Sequence, residues 1–202
     1  MEQYGWNPPD YIVLPGGNLG NTSAFGKALM ELVECGLIPR APKLVVVQAE
    51  GASPFARWFR NHYQNYASMH ADTVATAIKI GNPASITRAK RAVDFTHGIV
   101  TSVSDEQILD AKAEIDRIGI GCEPASAASL AGLRQLVASG DIPADASAAC
   151  IVTGHVLKDT DAVIDYHFND VNGAARPGAN RPIRVEPTLA ALERTLADAL
   201  HG

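Results

Sequence analysis

Three short stretches of this sequence bring together residue types whose spacing could do chemistry. The first is Pro15-Gly-Gly-Asn-Leu-Gly-Asn-Thr22, set between the apolar run Tyr11-Ile-Val-Leu14 and a segment of helical periodicity. Glycines let a backbone turn tightly and approach a ligand. The N–H groups of Gly17, Asn18, Leu19, Gly20, Asn21 and Thr22 can then converge on an anion at the positive end of a helix dipole. A phosphate needs nothing more, although a plain strand-to-helix turn would also use glycines for geometry. The second stretch is Thr153-Gly-His155, a hydroxyl and an imidazole at the end of an apolar run, followed by Lys158-Asp159. The third is Cys122-Glu-Pro-Ala-Ser126, which puts a carboxylate and a hydroxyl at the start of a helix. Each has a bland alternative: Thr153 as a strand-end residue, Glu123 as a helix-N-terminal charge, Lys158-Asp159 as a solvated pair, and His155 as a hydrogen-bonding side chain rather than a general base.

Which phosphate the glycine loop would take is not written in the loop. The dinucleotide fingerprint G-x-G-x-x-G is not met, because Gly17 and Gly20 are spaced G-x-x-G and Asn18 fills the middle glycine's place. Glu50, after the next apolar run, keeps a nucleotide reading open. No Gly-Lys-Ser/Thr follows, which excludes a P-loop.

The elements that must position these stretches alternate between short β-branched runs and amphipathic segments, the pattern of an α/β domain with a mostly parallel sheet. Strands are expected at Tyr11–Leu14, Lys43–Gln48, Gly98–Val103 and Ala148–Thr153, the last one buried. Helices are expected over Ser23–Cys35, stopped by Gly36, and over Ser53–Asn65, with Phe55, Trp58, Phe59 and Tyr63 clustered. Another is expected over Ser85–Phe95. Ser104-Asp-Glu-Gln107 reads as a capping box opening a helix to Arg117, and Pro124 as the first residue of a helix to Ser139. The stretch Asp72–Pro83 is less regular. Asn169–Pro182 reads as a surface loop, and Thr188–Leu200 as a helix with Leu189, Leu192, Leu196 and Leu200 in register. No repeat or linker divides residues 1–202, so a single domain is expected. In such a fold ligands sit at the carboxyl ends of strands, and the turns after Leu14 and Val152 both qualify.

Composition narrows the classes further. The 202 residues are 47% hydrophobic and 19% charged, which can bury roughly 70% of the unfolded surface without a disulfide or metal staple. Net charge is −5, so no basic stripe invites nucleic acid or an anionic membrane. The longest apolar runs are strand-sized, and the first ten residues lack the features of a signal peptide. Cys35, Cys122 and Cys150 stand far apart, as do the six histidines, so free thiols and no metal site are expected. Together these features point to a cytoplasmic protein.

Leu14-Pro-Gly-Gly-Asn-Leu-Gly-Asn-Thr-Ser-Ala24 resembles the phosphate loop of fold-type-II pyridoxal-phosphate enzymes, in the form used by threonine synthases. Three further segments point to the same family in the same order: Thr73 to Ser85, Cys122 to Ser129, and Ile151-Val-Thr-Gly-His-Val-Leu-Lys-Asp159. The resemblance implies a three-layer sandwich like the large domain of the tryptophan synthase β chain, with pyridoxal 5'-phosphate as cofactor. Gly17, Asn18, Leu19, Gly20 and Asn21 would bind the cofactor phosphate. Thr153 would face the pyridine nitrogen, leaving it largely unprotonated and the ring a milder electron sink, which suits chemistry reaching the substrate's γ-carbon. Ala77 and Ile78 would line the pocket, with Glu123, Ser126 and Lys158 beside the cofactor. The implied reaction converts O-phospho-L-homoserine and water into L-threonine and phosphate. Sister activities of the same fold, threonine dehydratase or cysteine synthase, and a non-catalytic binder of pyridoxal phosphate or phosphate are the alternatives.

The family's Schiff-base lysine precedes its glycine loop, and no lysine precedes Gly16 here. Lys27, Lys43, Lys79, Lys90, Lys112 and Lys158 do not match that motif. The catalytic lysine is therefore unassigned, and the resemblance is to the C-terminal portion of a threonine synthase. This chain alone is expected to be inactive without a lysine-bearing N-terminal half. Apolar surface exposed at the cofactor face or a sheet edge is expected to drive self-association or pairing with a complementary chain.

Overall fold

The structure is a computed structural model that describes residues 1–171, 173–176 and 178–201. The expected loop Asn169–Pro182 is therefore covered except at Asn172 and Pro177, which lie outside the described residues. Four parallel strands form one sheet: β1 (Tyr11–Pro15), β2 (Lys43–Ala49), β3 (Ile99–Val103) and β4 (Ala148–Cys150), in the spatial order β3-β2-β1-β4. In register, Val13 lies opposite Val45 on one side and Cys150 on the other.

Helices cover both faces, which is why β1 and β2 read as unbroken apolar runs rather than alternating ones. Ile12, Leu14, Leu44 and Val46 point toward α1 (Gly20–Glu34), α2 (Pro54–Arg60) and α3 (Ile86–Phe95). Tyr11, Val13, Val45 and Val47 point to the other face, under α4 (Asp105–Arg117) and α5 (Pro124–Ala138). The three-layer α/β architecture is as the sequence implies. Ser104 caps α4 through a reciprocal box, its side chain accepting from the Gln107 N–H while the Gln107 side chain accepts from the Ser104 N–H. Pro124 opens α5 at a position whose N–H would have had no partner.

Several elements depart from expectation. The helix expected over 53–65 stops at Arg60, because His62, Tyr63 and Asn65 adopt left-handed backbone angles and fold the aromatic residues back on one another. The strand expected to be buried over 148–153 ends at Cys150 and is only half-buried, because β4 is the last strand of the sheet. Helix α6 (Thr160–Phe168) had no counterpart in the sequence reading. The C-terminal helix α7 (Leu189–His201) forms, but its leucine stripe faces solvent, with Leu189 and Leu200 more than two-thirds exposed. Among the described residues no helix is long and apolar enough to cross a membrane.

Helices α1 and α3 meet at a contact with no room to spare. A Cβ on Gly26 would lie 2.1 Å from the Ala92 Cβ. An interior helical Gly→Ala change ordinarily gains about 1 kcal/mol, but overpacking costs about 1–3 kcal/mol. Gly26→Ala is therefore expected to destabilise the fold in urea denaturation, and adding Ala92→Gly to recover only part of the loss. The new Cβ would still lie 2.9 Å from the Ala92 Cα, and a glycine inside α3 has its own cost.

Candidate active site

The order of the strands creates the site. From β1 the chain steps outward through β2 and β3, then returns to place β4 on the opposite side of β1. At such a reversal the loops leaving two neighbouring strands turn apart and leave a crevice at the carboxyl ends. The glycine loop follows β1 and the Thr153 loop follows β4, so both flank this crevice.

The glycine loop is held from outside and keeps its inner face free. The Gly16 N–H donates to the Val47 carbonyl at 2.7 Å, and the Gln48 side-chain amide donates to the Gly16 carbonyl at 3.0 Å. Gln48 is fully buried, and its side-chain oxygen accepts the Phe55 and Ala56 N–H groups, both at 2.9 Å. One amide thus ties the loop to the start of α2. Asn18 fastens the other side: its side-chain oxygen accepts the Ala84 N–H at 2.7 Å and its carbonyl the Ser85 N–H at 3.2 Å. Leu19 is buried in the cluster under α2 and α3 with left-handed angles (φ 62°, ψ 17°), a conformation that a non-glycine residue adopts only when its surroundings impose it.

Among the described residues, the N–H groups from Gly17 through Thr22 donate to no acceptor. Intrahelical bonding resumes at Ser23, whose N–H donates to the Leu19 carbonyl at 3.0 Å. The Thr22 hydroxyl is buried and also without a partner. Six consecutive unspent donors at the N-terminus of a fifteen-residue helix form a site able to hold a phosphate. Gly17 is required there for space. A Cβ would sit 2.8 Å from the Ala77 carbonyl oxygen and 3.1 Å from the Ile78 Cα. Ala77 and Ile78, in a 3₁₀ turn at Thr76–Ile78, therefore stand against the loop, with Ile78 buried and Ala77 exposed.

Across the crevice, Thr153 is held by the first turn of α5. Its N–H donates to the Ser126 hydroxyl at 2.9 Å. That hydroxyl lies 2.8 Å from the Thr153 carbonyl and 2.7 Å from the Thr153 hydroxyl. Ser126 is fully buried. One turn further along, Ser129 donates to the Ile151 carbonyl at 3.2 Å. Two serines on α5 thus satisfy the backbone that continues from β4 once sheet pairing ends, a role that an alanine-rich helix did not announce in sequence.

Glu123 and Lys158 form one unit. The Glu123 carboxylate, side chain 7% exposed, accepts the Lys158 ammonium at 2.8 Å, and this bond and charge raise the Lys158 pKa above the usual lysine value. The Thr-Gly turn passes directly over that carboxylate. Gly154 has φ +69°, and a Cβ on it would lie 2.3 Å from the Glu123 carboxyl carbon. His155 is exposed, and its Nδ1 accepts the Leu157 N–H at 3.1 Å, which shapes the turn. Asp159, which sequence reading paired with Lys158 as a solvated charge, instead accepts from Thr76. The crevice is thus lined by a free anion loop on one side and a braced hydroxyl on the other.

Comparison with known proteins bears on what this crevice serves. A family model described as pyridoxal-phosphate dependent enzyme matches residues 1–154. The chain belongs to this family. Proteins similar to it include the threonine synthase of Methanosarcina acetivorans, 45% identical over 166 residues, which cover 81% of this chain and 41% of the relative. The threonine synthase of Methanocaldococcus jannaschii is 37% identical over 98% of this chain and 46% of its own length. Threonine synthase 2, chloroplastic, of Arabidopsis thaliana is 35% identical over 100% of this chain and 40% of its own. The chain thus spans less than half the length of these relatives. Among solved structures, threonine synthase from Escherichia coli matches with a TM-score of 0.59 at 16% identity, over 94% of this chain and 44% of that one. The fold is that of fold-type-II pyridoxal-phosphate enzymes.

Two predictions follow from the geometry of this crevice. Gly154→Ala is expected to lower stability by about 1–3 kcal/mol in chemical denaturation, from the left-handed backbone together with the overlap on Glu123. Combining it with Glu123→Ala relieves the overlap but not the backbone conflict. Burial raises the Cys122 and Cys150 thiols to about 11, whereas Cys35 is exposed. Because the thiolate is the reactive form, a thiol reagent at pH 8 is expected to modify Cys35 quickly, and the other two only after unfolding.

Proposed function

We propose that this chain forms the cofactor-phosphate side of a threonine synthase, in which O-phospho-L-homoserine and water become L-threonine and phosphate. The observation that carries the reading is the row of unspent N–H groups from Gly17 to Thr22, facing a crevice whose other wall presents the Thr153 hydroxyl. The identity of 35–45% to proteins named threonine synthase supports the choice among activities of this fold. The donor set suits pyridoxal phosphate: a dianionic group needs several donors and no competing acceptor, and a pyridine nitrogen needs one hydroxyl.

In this reading Gly17, Asn18, Leu19, Gly20 and Asn21 hold the cofactor phosphate through their backbones. Ala77 and Ile78 wall the pocket, and Thr153 meets the ring nitrogen. When bound, pyridoxal phosphate supplies an electron sink beside the substrate's amino-bearing carbon. Ser126 governs what Thr153 can offer. With the Ser126 proton donated to the Thr153 hydroxyl oxygen, 2.7 Å away, the threonine hydroxyl is free to turn its own proton outward, as a neutral ring nitrogen requires. Glu123, neutralised by Lys158, puts no free carboxylate within reach of that nitrogen, which keeps the ring a mild sink. The mildness suits loss of phosphate from the γ-carbon and addition of water at the β-carbon.

None of the six lysines matches the family's cofactor-linking motif, so turnover is assigned to an assembly in which a complementary, lysine-bearing segment closes the crevice. The exposed apolar side chains beside the β4 edge, Val152, Val156 and Leu157, support association there, either with such a segment or with a second copy. The small-molecule substrate enters the same crevice. The three free thiols support a reducing compartment, the cytoplasm.

The test is titration of the 202-residue chain with pyridoxal phosphate, followed by absorbance and calorimetry and competed with inorganic phosphate. Saturable binding that phosphate displaces, weakened about tenfold or more by Gly17→Ala, is expected. Addition of a lysine-bearing N-terminal half from a threonine synthase is then expected to yield threonine from phosphohomoserine. Binding of NADH with no affinity for pyridoxal phosphate would overturn the reading.

A further inference from the structure

Asp159 carries an oddity that the proposed reaction does not use. It occupies the position preceding α6, where an aspartate ordinarily caps its own helix, yet its side chain makes no such bond. It also adopts left-handed angles, φ 52° and ψ 40°, rare for a residue with a side chain. The carboxylate reaches instead to a residue 83 positions away, accepting the Thr76 N–H at 3.2 Å and the Thr76 hydroxyl at 2.8 Å and 3.0 Å.

Thr76 begins the 3₁₀ turn that stands against Gly17. The approach to that turn is held by a second carboxylate. Asp105, at the start of α4, accepts the Thr73 hydroxyl and, at 3.0 Å, the Val74 N–H. Asp159 is in turn the neighbour of Lys158, which is bonded to Glu123 at the head of α5. The contacts form a closed circuit. From Thr153 it runs along the turn to Lys158 and Asp159, across to Thr76, through Ala77 and Ile78 to Gly17, and back through β1 to β4. Among the described residues, the Asp159–Thr76 bonds join the two loops directly on the crevice side. The sheet and α5, which packs against Ala75 and Ile78 and holds Thr153 through Ser126, connect them from behind.

We propose that Asp159 is a positioning residue that sets the spacing between the anion-holding loop and the Thr153 hydroxyl by clamping the Thr76–Ile78 turn. Its bearing on cofactor binding rests on the function proposed above; the mechanical coupling does not. A strained residue that forgoes its local cap for a distant contact is what such a constraint looks like in a backbone.

The experiment is site-resolved amide hydrogen exchange on the full 202-residue chain without ligand, comparing wild type, Asp159→Gly and Asp159→Asn. Glycine adopts the left-handed angles freely and removes the clamp. Asparagine tolerates them and keeps an acceptor oxygen. Asp159→Gly is expected to speed exchange about tenfold at Thr76, whose N–H the carboxylate accepts, and at Ile78 and Lys79 in the same turn. The faster exchange is also expected at Ala84 and Ser85, whose N–H groups fasten Asn18, without a fall in the thermal midpoint. Asp159→Asn is expected to restore most of the protection, and Thr76→Val to reproduce part of the loss from the other partner. Acceleration confined to Thr76, a lowered midpoint in parallel with it, or failure of asparagine to restore protection would overturn the proposal. Pyridoxal phosphate affinity supplies an independent arm: about tenfold weaker for the glycine variant and recovered by asparagine, with equal affinities counting against the clamp. A wild-type chain that binds no pyridoxal phosphate would sink the proposed function and leave the exchange pattern to decide the coupling.

Discussion

The pairing of β1 with β4 is the contact on which the crevice depends. Tyr11, Ile12 and Val13 lie in parallel register with Ala148, Ala149 and Cys150, residues separated by more than half the chain. Because β2 and β3 are laid down on the other side of β1, this late return sets two loop-bearing strand ends side by side. The pairing is short, and the chain reinforces it at both ends. Asp10 joins Ser147 below through paired backbone and side-chain bonds, and the Ile151 N–H adds a bond to the Val13 carbonyl above. Ser126 and Ser129 then carry the backbone of the 151–153 stretch beyond the sheet.

Around that junction the molecule separates groups that are spent from groups that are kept free. Two polar side chains at the glycine loop are engaged elsewhere: Gln48 with Gly16 and α2, Asn18 with Ala84. The backbone donors between Gly17 and Thr22 are left over. On the opposite wall the nearby carboxylate is paired with Lys158 and the hydroxyl is left poised between a serine and the crevice. A buried carboxylate without its cation would be costly, so the pair serves the fold as well as the electrostatics of the site.

Much of this was legible in the residues. The apolar runs of β1, β2 and β3 marked the sheet, the Ser104 box and Pro124 marked two helix starts within a residue, and the glycine loop announced unspent donors before any coordinate did. The failures share a cause. The end of α2 at Arg60 depends on left-handed backbone at His62 and Tyr63, held by aromatic packing against Trp58 and Phe59. The half-exposure of β4 depends on its place in the strand order, and no local pattern reveals it. The leucines of α7 have core-like spacing yet face solvent, because periodicity says that a face is apolar and not what covers it.

The sequence by itself determined which groups are available: a run of backbone donors after a strand, a hydroxyl after another, a carboxylate and a lysine nearby. These follow from residue type and from the short-range geometry of glycine, proline and caps, which act within a few positions. Which groups meet was decided only by the tertiary structure. The Glu123–Lys158 pair, the Ser126 hold on Thr153 and the reach of Asp159 to Thr76 span 35, 27 and 83 positions. Contacts at such separations are set by strand order and by helix packing at close quarters, as where Gly26 meets Ala92 and Gly17 meets the Ala77 carbonyl. Local propensity leaves that order open, because each strand and helix would have the same pattern in any arrangement of the layers.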